Sequence, residues 1–588
     1  MEIEKVGVVG CGTMGAGICE VVSRAGLPVT FVETSHSDVE AGFERIRRSL
    51  QRQVSRCRLS TAERDVILGR IQGGVEYETL GDADLVIEAV PEVLAVKQEV
   101  VRRLDSIMTD SAILATNTSS LGVMDVAVHT RRPDRVLGFH FFNPAPVMRL
   151  IELITTVMTA PEVVATARVF AETIGKHPVV ARDRAGFVAN LLLFPYLNQA
   201  AGMYETGYAS REDIDAAMRL GAGHPIGPLA LIDLIGLDSA TSIMERMYEQ
   251  FRDGRYAPRP IIRHLASAGY RGRKSGRGFY TYAEPGSGRV DPSDAPPPNE
   301  PDLSVIAGWS RIGVFGSGTM ASGIAEICAK AGFEVVLRAR SIAKAEAAVT
   351  RIAESLSRAV EKGKLDAAGR DAAIGRIGVT VQLGDFGDCD LVVEAVTEDL
   401  DVKRSLFAQL DGHTKPEAVL ATTTSSLPVI QCAMATSRPE RVVGLHFFNP
   451  AAIMRLVEVV PTVRTSNAVV EQARAVAAEL GKHGVHCADR AGFIVNALLF
   501  PYLNDAVKML ADGYATAVDI DTAMRLGCGH PMGPFQLMDI VGLDVTLEIL
   551  KALYGEFRHP GYLPSPLLES MVAVGYLGRK VGRGFYVY

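Results

Sequence analysis

The chain has 588 residues, with 61 Lys plus Arg against 68 Asp plus Glu, a net charge of -7 and 48% apolar content. That is a globular profile of roughly four domains at about 150 residues each. So small a negative charge over so long a chain excludes an extended cationic surface for nucleic acid or anionic membrane. Eight cysteines with no Cys-x-x-Cys and no zinc-ligand spacing exclude a disulfide framework and a structural metal site.

From the start of the chain, Met1-Glu2-Ile3-Glu4-Lys5 is acidic and leads directly into a strand-like segment. No apolar stretch approaches the roughly 18 to 20 residues of a membrane span, so a cytoplasmic protein is expected. Val6 to Val9, Val29 to Glu33, Leu85 to Glu88, Ala112 to Thr116 and Val136 to His140 read as strands with amphipathic segments between most of them. This predicts a parallel, doubly wound α/β sheet. After Asp183-Arg184-Ala185-Gly186 the strand signal fades, and Phe187 to Gly202, Arg211 to Leu220 and Ser239 to Arg252 read as helices.

The whole pattern then recurs. Gly-x-His-Phe-Phe-Asn-Pro stands at Gly138 to Pro144 and at Gly444 to Pro450, a displacement of 306 that Gly10/Gly316, Glu88/Glu394, Asn190/Asn496, Pro228/Pro534 and Phe279/Phe585 also obey. The copies run from Lys5 to Tyr282 and from Arg311 to Tyr588, so the chain is a tandem duplication of a two-domain unit. The expected division is a dinucleotide-binding domain over 1–184, a helical domain over 185–282, a linker over 283–310, and the same pair again over 311–490 and 491–588. The linker contains Pro285-Gly286-Ser287-Gly288 and Ala295-Pro296-Pro297-Pro298 and reads as a solvated coil reaching roughly 30 Å. Trp309, the sole tryptophan, is expected to dock at its end.

Gly10-Cys11-Gly12-Thr13-Met14-Gly15 follows the first strand and opens a helix. Glycines there allow a tight turn and let backbone amides approach a pyrophosphate at the positive helix N-terminus. Glu33 closes the second strand, 21 residues after Gly12, where a carboxylate can accept both hydroxyls of an adenosine ribose. The second copy carries Gly316-Ser317-Gly318-Thr319-Met320-Ala321, but Ala339 stands in the place of Glu33, between Arg338 and Arg340. Those arginines suit a ribose 2'-phosphate that Glu33 would repel, each charge-assisted bond being worth roughly 1.5 to 3 kcal/mol. The expectation is NAD for copy one and NADP, or NAD, for copy two; a second copy that has drifted away from dinucleotide binding is the alternative.

A dehydrogenase must remove a hydroxyl proton as hydride leaves its carbon, and an imidazole held by a carboxylate suits that task near neutral pH. His140 with Glu152, and His446 with Glu458, offer one such pair per copy, and Ser119, Asn190, Ser425 and Asn496 offer neutral hydrogen bonds for a substrate oxygen. His177, His483, His224 and His530 lie at turn-rich edges and read as structural.

Asn117-Thr118-Ser119-Ser120, Gly138-Phe139-His140-Phe141-Phe142-Asn143-Pro144, Gly186-Phe187-Val188-Ala189-Asn190 and Gly223-His224-Pro225-Ile226-Gly227-Pro228 occur in one order, and nearly all of both copies resembles the L-3-hydroxyacyl-CoA dehydrogenase family. The short-chain 3-hydroxybutyryl-CoA dehydrogenases are the nearest likeness. The resemblance implies oxidation of (S)-3-hydroxyacyl-CoA, or the reverse reduction, with His140 as base, Glu152 as its partner, and Ser119 and Asn190 on the substrate oxygen. It carries the same roles to His446, Glu458, Ser425 and Asn496. It further assigns Glu92, Lys97 and Asn143, with Glu398, Lys403 and Asn449, to the cofactor's surroundings, and Ser49, Arg56, Ser355 and Lys362 to coenzyme A. The family commonly pairs two helical domains into a dimer, which implies that the fusion forms this pairing within one chain.

Copy two departs from the pattern at Thr423, which replaces Asn117, and Leu191 and Ala497 stand where the family often has Arg. Two rival readings remain from sequence: a related hydroxy-acid or sugar-acid dehydrogenase that does not use CoA, and a non-catalytic dinucleotide-binding module in one or both copies.

Overall fold

The computed structural model describes residues 2–294 and 301–588. Copy one opens with β1 (Val6–Val9), β2 (Val29–Val32), β3 (Ile71–Gly74), β4 (Leu85–Glu88), β5 (Ile113–Thr116), β6 (Val136–Phe141), β7 (Leu150–Thr155) and β8 (His177–Arg182), in the spatial order β3-β2-β1-β4-β5-β6-β7-β8. Strands such as Val-Gly-Val-Val and Leu-Val-Ile-Glu are buried along their length because helices cover both faces of the sheet, which is why they read as continuous apolar runs. Copy two repeats the arrangement with β9 (Arg311–Phe315), β10 (Glu334–Arg338), β11 (Ile377–Thr380), β12 (Leu391–Glu394), β13 (Val419–Thr422), β14 (Val442–Phe447), β15 (Leu456–Pro461) and β16 (His483–His486).

One expectation is corrected. The sheet is not wholly parallel: β7 pairs antiparallel with β6 and parallel with β8, so two of the eight strands run against the rest, and β15 and β16 do the same. That reversal puts His140 directly opposite Glu152, and His446 opposite Glu458. Opposed residues on an antiparallel pair project to the same face with Cβ atoms about 5 Å apart. A twelve-residue gap in sequence thus becomes a side-chain contact.

Beyond β8 the chain is helical, with Ala189–Glu205, Arg211–Gly221, Pro228–Ile235, Leu237–Phe251 and Pro260–Ser267. The two short helices absent from the sequence reading both begin on proline, whose fixed φ and missing N–H suit the first helical position. Helix Ala189–Glu205 packs against its counterpart Val495–Ala511, and one apolar core runs through both helical domains.

Polar contacts also cross between the copies. Pro501 leaves the Ala497 carbonyl without its intrahelical donor, and Gln199 Nε2 of copy one donates to it at 2.7 Å. Tyr208 donates to Phe493 O, Tyr514 to Arg182 O, and Arg255 reaches Asp505 at 2.6 Å. His224 and His530 stack with ring centroids 4.0 Å apart, each near the hydroxyl of its own copy's tyrosine, Tyr196 or Tyr502.

The linker is a second correction. Asp294 accepts from Thr281 N and pairs with Arg211 at 3.0 Å, and Gly286 N donates to Arg273 O, so residues up to 294 are fastened to copy one. On the other side Ile306 is buried in the copy-two core and Trp309 packs against it. Polar anchors hold its first part and one apolar plug holds its last; Ala295-Pro296-Pro297-Pro298 and its neighbours to 300 lie outside the described residues.

Candidate active site

Glu152 is fully buried, and every oxygen has work. Oε2 lies 2.7 Å from His140 Nδ1, while Oε1 accepts from Val188 N at 3.0 Å and Ala189 N at 2.9 Å. Those amides open helix Ala189–Glu205, whose N-terminal dipole favours a negative charge there. Asn190 follows immediately, so the helix start that holds Glu152 also fixes where Asn190 begins. Phe142 and Phe187 flank the imidazole at 4.7 and 5.4 Å between ring centres. With Nδ1 engaged, Nε2 is the nitrogen left for proton exchange.

Copy two repeats this closely: His446 Nδ1 lies 2.6 Å from Glu458 Oε2, and Glu458 Oε1 accepts from Ile494 N at 3.0 Å and Val495 N at 2.9 Å. Asn496 Nδ2 donates to Ser425 O at 3.3 Å, which joins the helix start to the loop after β13.

That serine loop is organised by a carboxylate. Glu92 Oε1 accepts from Thr118 Oγ1 at 2.6 Å, Ser119 N at 2.9 Å and Ser120 N at 3.2 Å, and Glu398 does the same for Thr424, Ser425 and Ser426. Burial works against the ionised form, but the Lys97 charge and the donors of Thr118 and Ser119 hold Glu92 below the usual carboxylate range. Lys97 itself is buried, its ammonium bonded to Glu88 at 2.8 Å, to Val90 O at 3.3 Å and facing Glu92 at 3.3 Å. Its three protons have three acceptors, one of them the Glu92 that holds the serine loop; Lys403 stands likewise between Glu394 at 2.7 Å and Glu398 at 3.5 Å. The sequence reading missed Glu88 as the base of this network, because a strand-end Glu looks solvent-facing until its lysine is found.

The glycine loop fits a dinucleotide. Gly10 has φ +89°, a Cβ on Gly12 would meet nothing within 4 Å, and one on Gly15 would collide with the Gly10 carbonyl oxygen. Copy two has Ala321 in the third place, and Gly316 there takes φ +140°, opening room for the methyl group. Glu33 bends back to the loop, accepting from Cys11 N at 2.5 Å. In copy two a cavity of about 900 Å³ is lined by Gly316, Gly318, Arg338, Arg340 and Lys344 among others. Arg338 stacks on Phe315 at 4.3 Å, and Lys344 was missed although the displacement of 306 sets it against Asp38.

The remaining assignments are mixed in placement. Asn143 and Asn449 stand two residues past β6 and β14, at the start of the connections to β7 and β15. Ser49 and Ser355 are half-buried and lie beside Glu20 and Glu326, each glutamate being pushed upward by burial. Those hydroxyls therefore point toward the domain, whereas Arg56 and Lys362 are exposed at the C-caps of helices His36–Ser55 and Ile342–Glu361.

Comparison with known proteins agrees with this geometry. The 3-hydroxyacyl-CoA dehydrogenase NAD binding domain matches residues 5–184 and 311–490, and the C-terminal domain of the same family matches 186–282 and 492–588. The chain belongs to the 3-hydroxyacyl-CoA dehydrogenase family. Within it, a 3-hydroxybutyryl-CoA dehydrogenase of Mycobacterium tuberculosis is 49% identical over 282 residues, covering 48% of this chain and 99% of that protein. A probable 3-hydroxybutyryl-CoA dehydrogenase of Bacillus subtilis is 42% identical over 284 residues, covering 48% and 99%. The crystal structure of 3-hydroxybutyryl-CoA dehydrogenase from Escherichia coli K12 matches with a TM-score of 0.71 at 26% identity, covering 98% of this chain and 99% of that one, so this likeness runs through both copies. No helix among the described residues is long and apolar enough to cross a membrane.

Proposed function

We propose that each copy interconverts (S)-3-hydroxyacyl-CoA, of short chain such as 3-hydroxybutyryl-CoA, and 3-oxoacyl-CoA with a nicotinamide dinucleotide. The observation that carries this is the buried His–Glu pair beside a helix-start asparagine, present twice with the same bonds. When bound, the dinucleotide supplies the hydride acceptor or donor. His140 and His446 take or return the proton at Nε2, and Glu152 and Glu458 hold the ring and balance the imidazolium. Ser119 and Asn190, with Ser425 and Asn496, bond the substrate oxygen. Glu92 and Glu398 keep the serine loops in place, and Arg56 and Lys362 offer cations to CoA phosphates.

The cofactor assignment divides the copies. Glu33 selects the free ribose diol of NAD in copy one, and Arg338 with Arg340 favours the 2'-phosphate of NADP in copy two. The helical domains 185–282 and 491–588 form a pseudo-dimer within one chain, supported by the shared core and by the Arg255–Asp505 pair, whose symmetry counterparts are Gly561 and Gln199. Eight free cysteines, seven of them wholly or partly buried, suit a reducing compartment such as the cytoplasm.

The test is reduction of acetoacetyl-CoA by the full chain. His446→Ala is expected to keep turnover with NADH and lose it with NADPH, and His140→Ala the converse. Full activity in the double variant would refute the proposal.

A further inference from the structure

The mouths of the two dinucleotide pockets differ by more than Glu33. In copy one Asp38 stands beside it, bonded by Ser35 Oγ at 2.6 Å and Thr34 Oγ1 at 2.8 Å, bonds that hold its carboxyl below the usual range. In copy two the counterparts of Val32, Glu33, Thr34 and Asp38 are Arg338, Ala339, Arg340 and Lys344. Two carboxylates have become three cations lining one cavity. Among the described residues neither Arg340 nor Lys344 has a carboxylate within 4.0 Å, and Asp401, the carboxylate on that cavity wall, faces Arg404 at 3.9 Å. Drift alone would not be expected to turn three neighbouring sites toward one sign while leaving the catalytic hairpin bond for bond the same.

We propose that the chain is a substrate-coupled transhydrogenase, moving hydride between the NADP and NAD pools with the 3-hydroxyacyl-CoA/3-oxoacyl-CoA couple as carrier. This rests on the reading that both copies are catalytic and differ in dinucleotide. At copy two, hydride from NADPH adds to the β-carbon of 3-oxoacyl-CoA while His446 gives its proton to the carbonyl oxygen, leaving 3-hydroxyacyl-CoA and NADP+. At copy one, His140 takes the hydroxyl proton as hydride leaves the same carbon for NAD+, and 3-oxoacyl-CoA returns. The sum is NADPH + NAD+ → NADP+ + NADH, with the acyl-CoA unchanged; reversed concentrations reverse the flow. Matching His, Glu, Ser and Asn in both clefts, with Phe142/Phe448 and Phe187/Phe493 against the imidazoles, is what lets one acyl-CoA serve both.

The experiment has a binding arm and a turnover arm. The full chain carrying both His140→Ala and His446→Ala is titrated calorimetrically with NADP+, and again with Arg340→Thr and Lys344→Asp added. One NADP+ site is expected, weakened at least tenfold by the added changes, with NAD+ binding at copy one unmoved. The unaltered chain is then given NADPH, NAD+ and acetoacetyl-CoA at a hundredth of their concentration, and NADH is separated chromatographically. NADH is expected to exceed the acyl-CoA supplied many times over, and to fall at least a hundredfold in either single histidine variant or without acyl-CoA. Absence of the NADP+ site would overturn the cofactor reading beneath the inference. An intact NADP+ site with NADH never exceeding the acyl-CoA supplied would overturn the coupling alone, as would exchange that survives in a single histidine variant.

Discussion

The catalytic hairpins and the dinucleotide mouths of the two copies have fared differently since duplication. His140–Glu152 and His446–Glu458 differ by 0.1 Å and take amide donors from matching positions, whereas the residues around the proposed adenosine end change sign. A buried carboxylate with one imidazole and two amides as partners tolerates no change, because any lost bond leaves a buried charge or donor unsatisfied. A solvated pocket rim carries no such penalty and is free to alter what it selects.

The comparison breaks most visibly if the hairpin is altered. Glu152→Gln presents an amide N–H to the imidazole and favours the wrong tautomer, so NADH-linked turnover should fall about a hundredfold or more while NADPH-linked turnover holds; Glu458→Gln should do the opposite. Steady-state kcat with each cofactor reads this directly.

Next in size is the rim. Ala339→Glu with Arg340→Thr should weaken NADPH binding about ten- to a hundredfold, as one charge-assisted contact is lost and a repelling carboxylate is gained, and leave copy one unmoved; titration calorimetry measures it.

A smaller effect tests whether the halves build each other's clefts. A Cβ on Gly527 of copy two would lie 2.7 Å from Leu150 and 3.3 Å from Phe142, beside His140, while one on Gly221 would meet Leu456 and Val495 of copy two. Overpacking costs about 1 to 3 kcal/mol. Gly527→Val should therefore lower the activity of copy one more than that of its own copy, and Gly221→Val the reverse. Equal losses in both copies would mean only a general destabilisation.

The smallest concerns the stacked histidines. Burial lowers His224 to about 4, below its ordinary 6.5. The folded state keeps it neutral where the unfolded chain takes a proton, so its contribution is fully present above pH 6.5 and is lost as pH falls toward 4. Each pH unit is worth about 1.4 kcal/mol. His224→Gln removes this dependence, so the Tm gap between parent and variant should narrow by about one to two degrees from pH 7 to 5.5.

The duplication, the glycine loops, the exchange of Glu33 for Ala339 between arginines, and the alternation of strands with helices were all legible in the sequence, because each depends on local spacing or on the constant displacement of 306. That His140 and Glu152 touch was not derivable from their spacing, since it depends on β7 running antiparallel in one register. Nor was the role of Lys97, an exposed-looking helix lysine until Glu88 and Glu92 close around it. Docking of the linker ends and the packing of Gly221 and Gln199 against the other copy were also settled only by the tertiary structure. Local backbone preference and side-chain periodicity act over a few residues and so are written in the chain order. Which distant carboxylate meets which imidazole is fixed by strand register and by burial that the whole fold must supply.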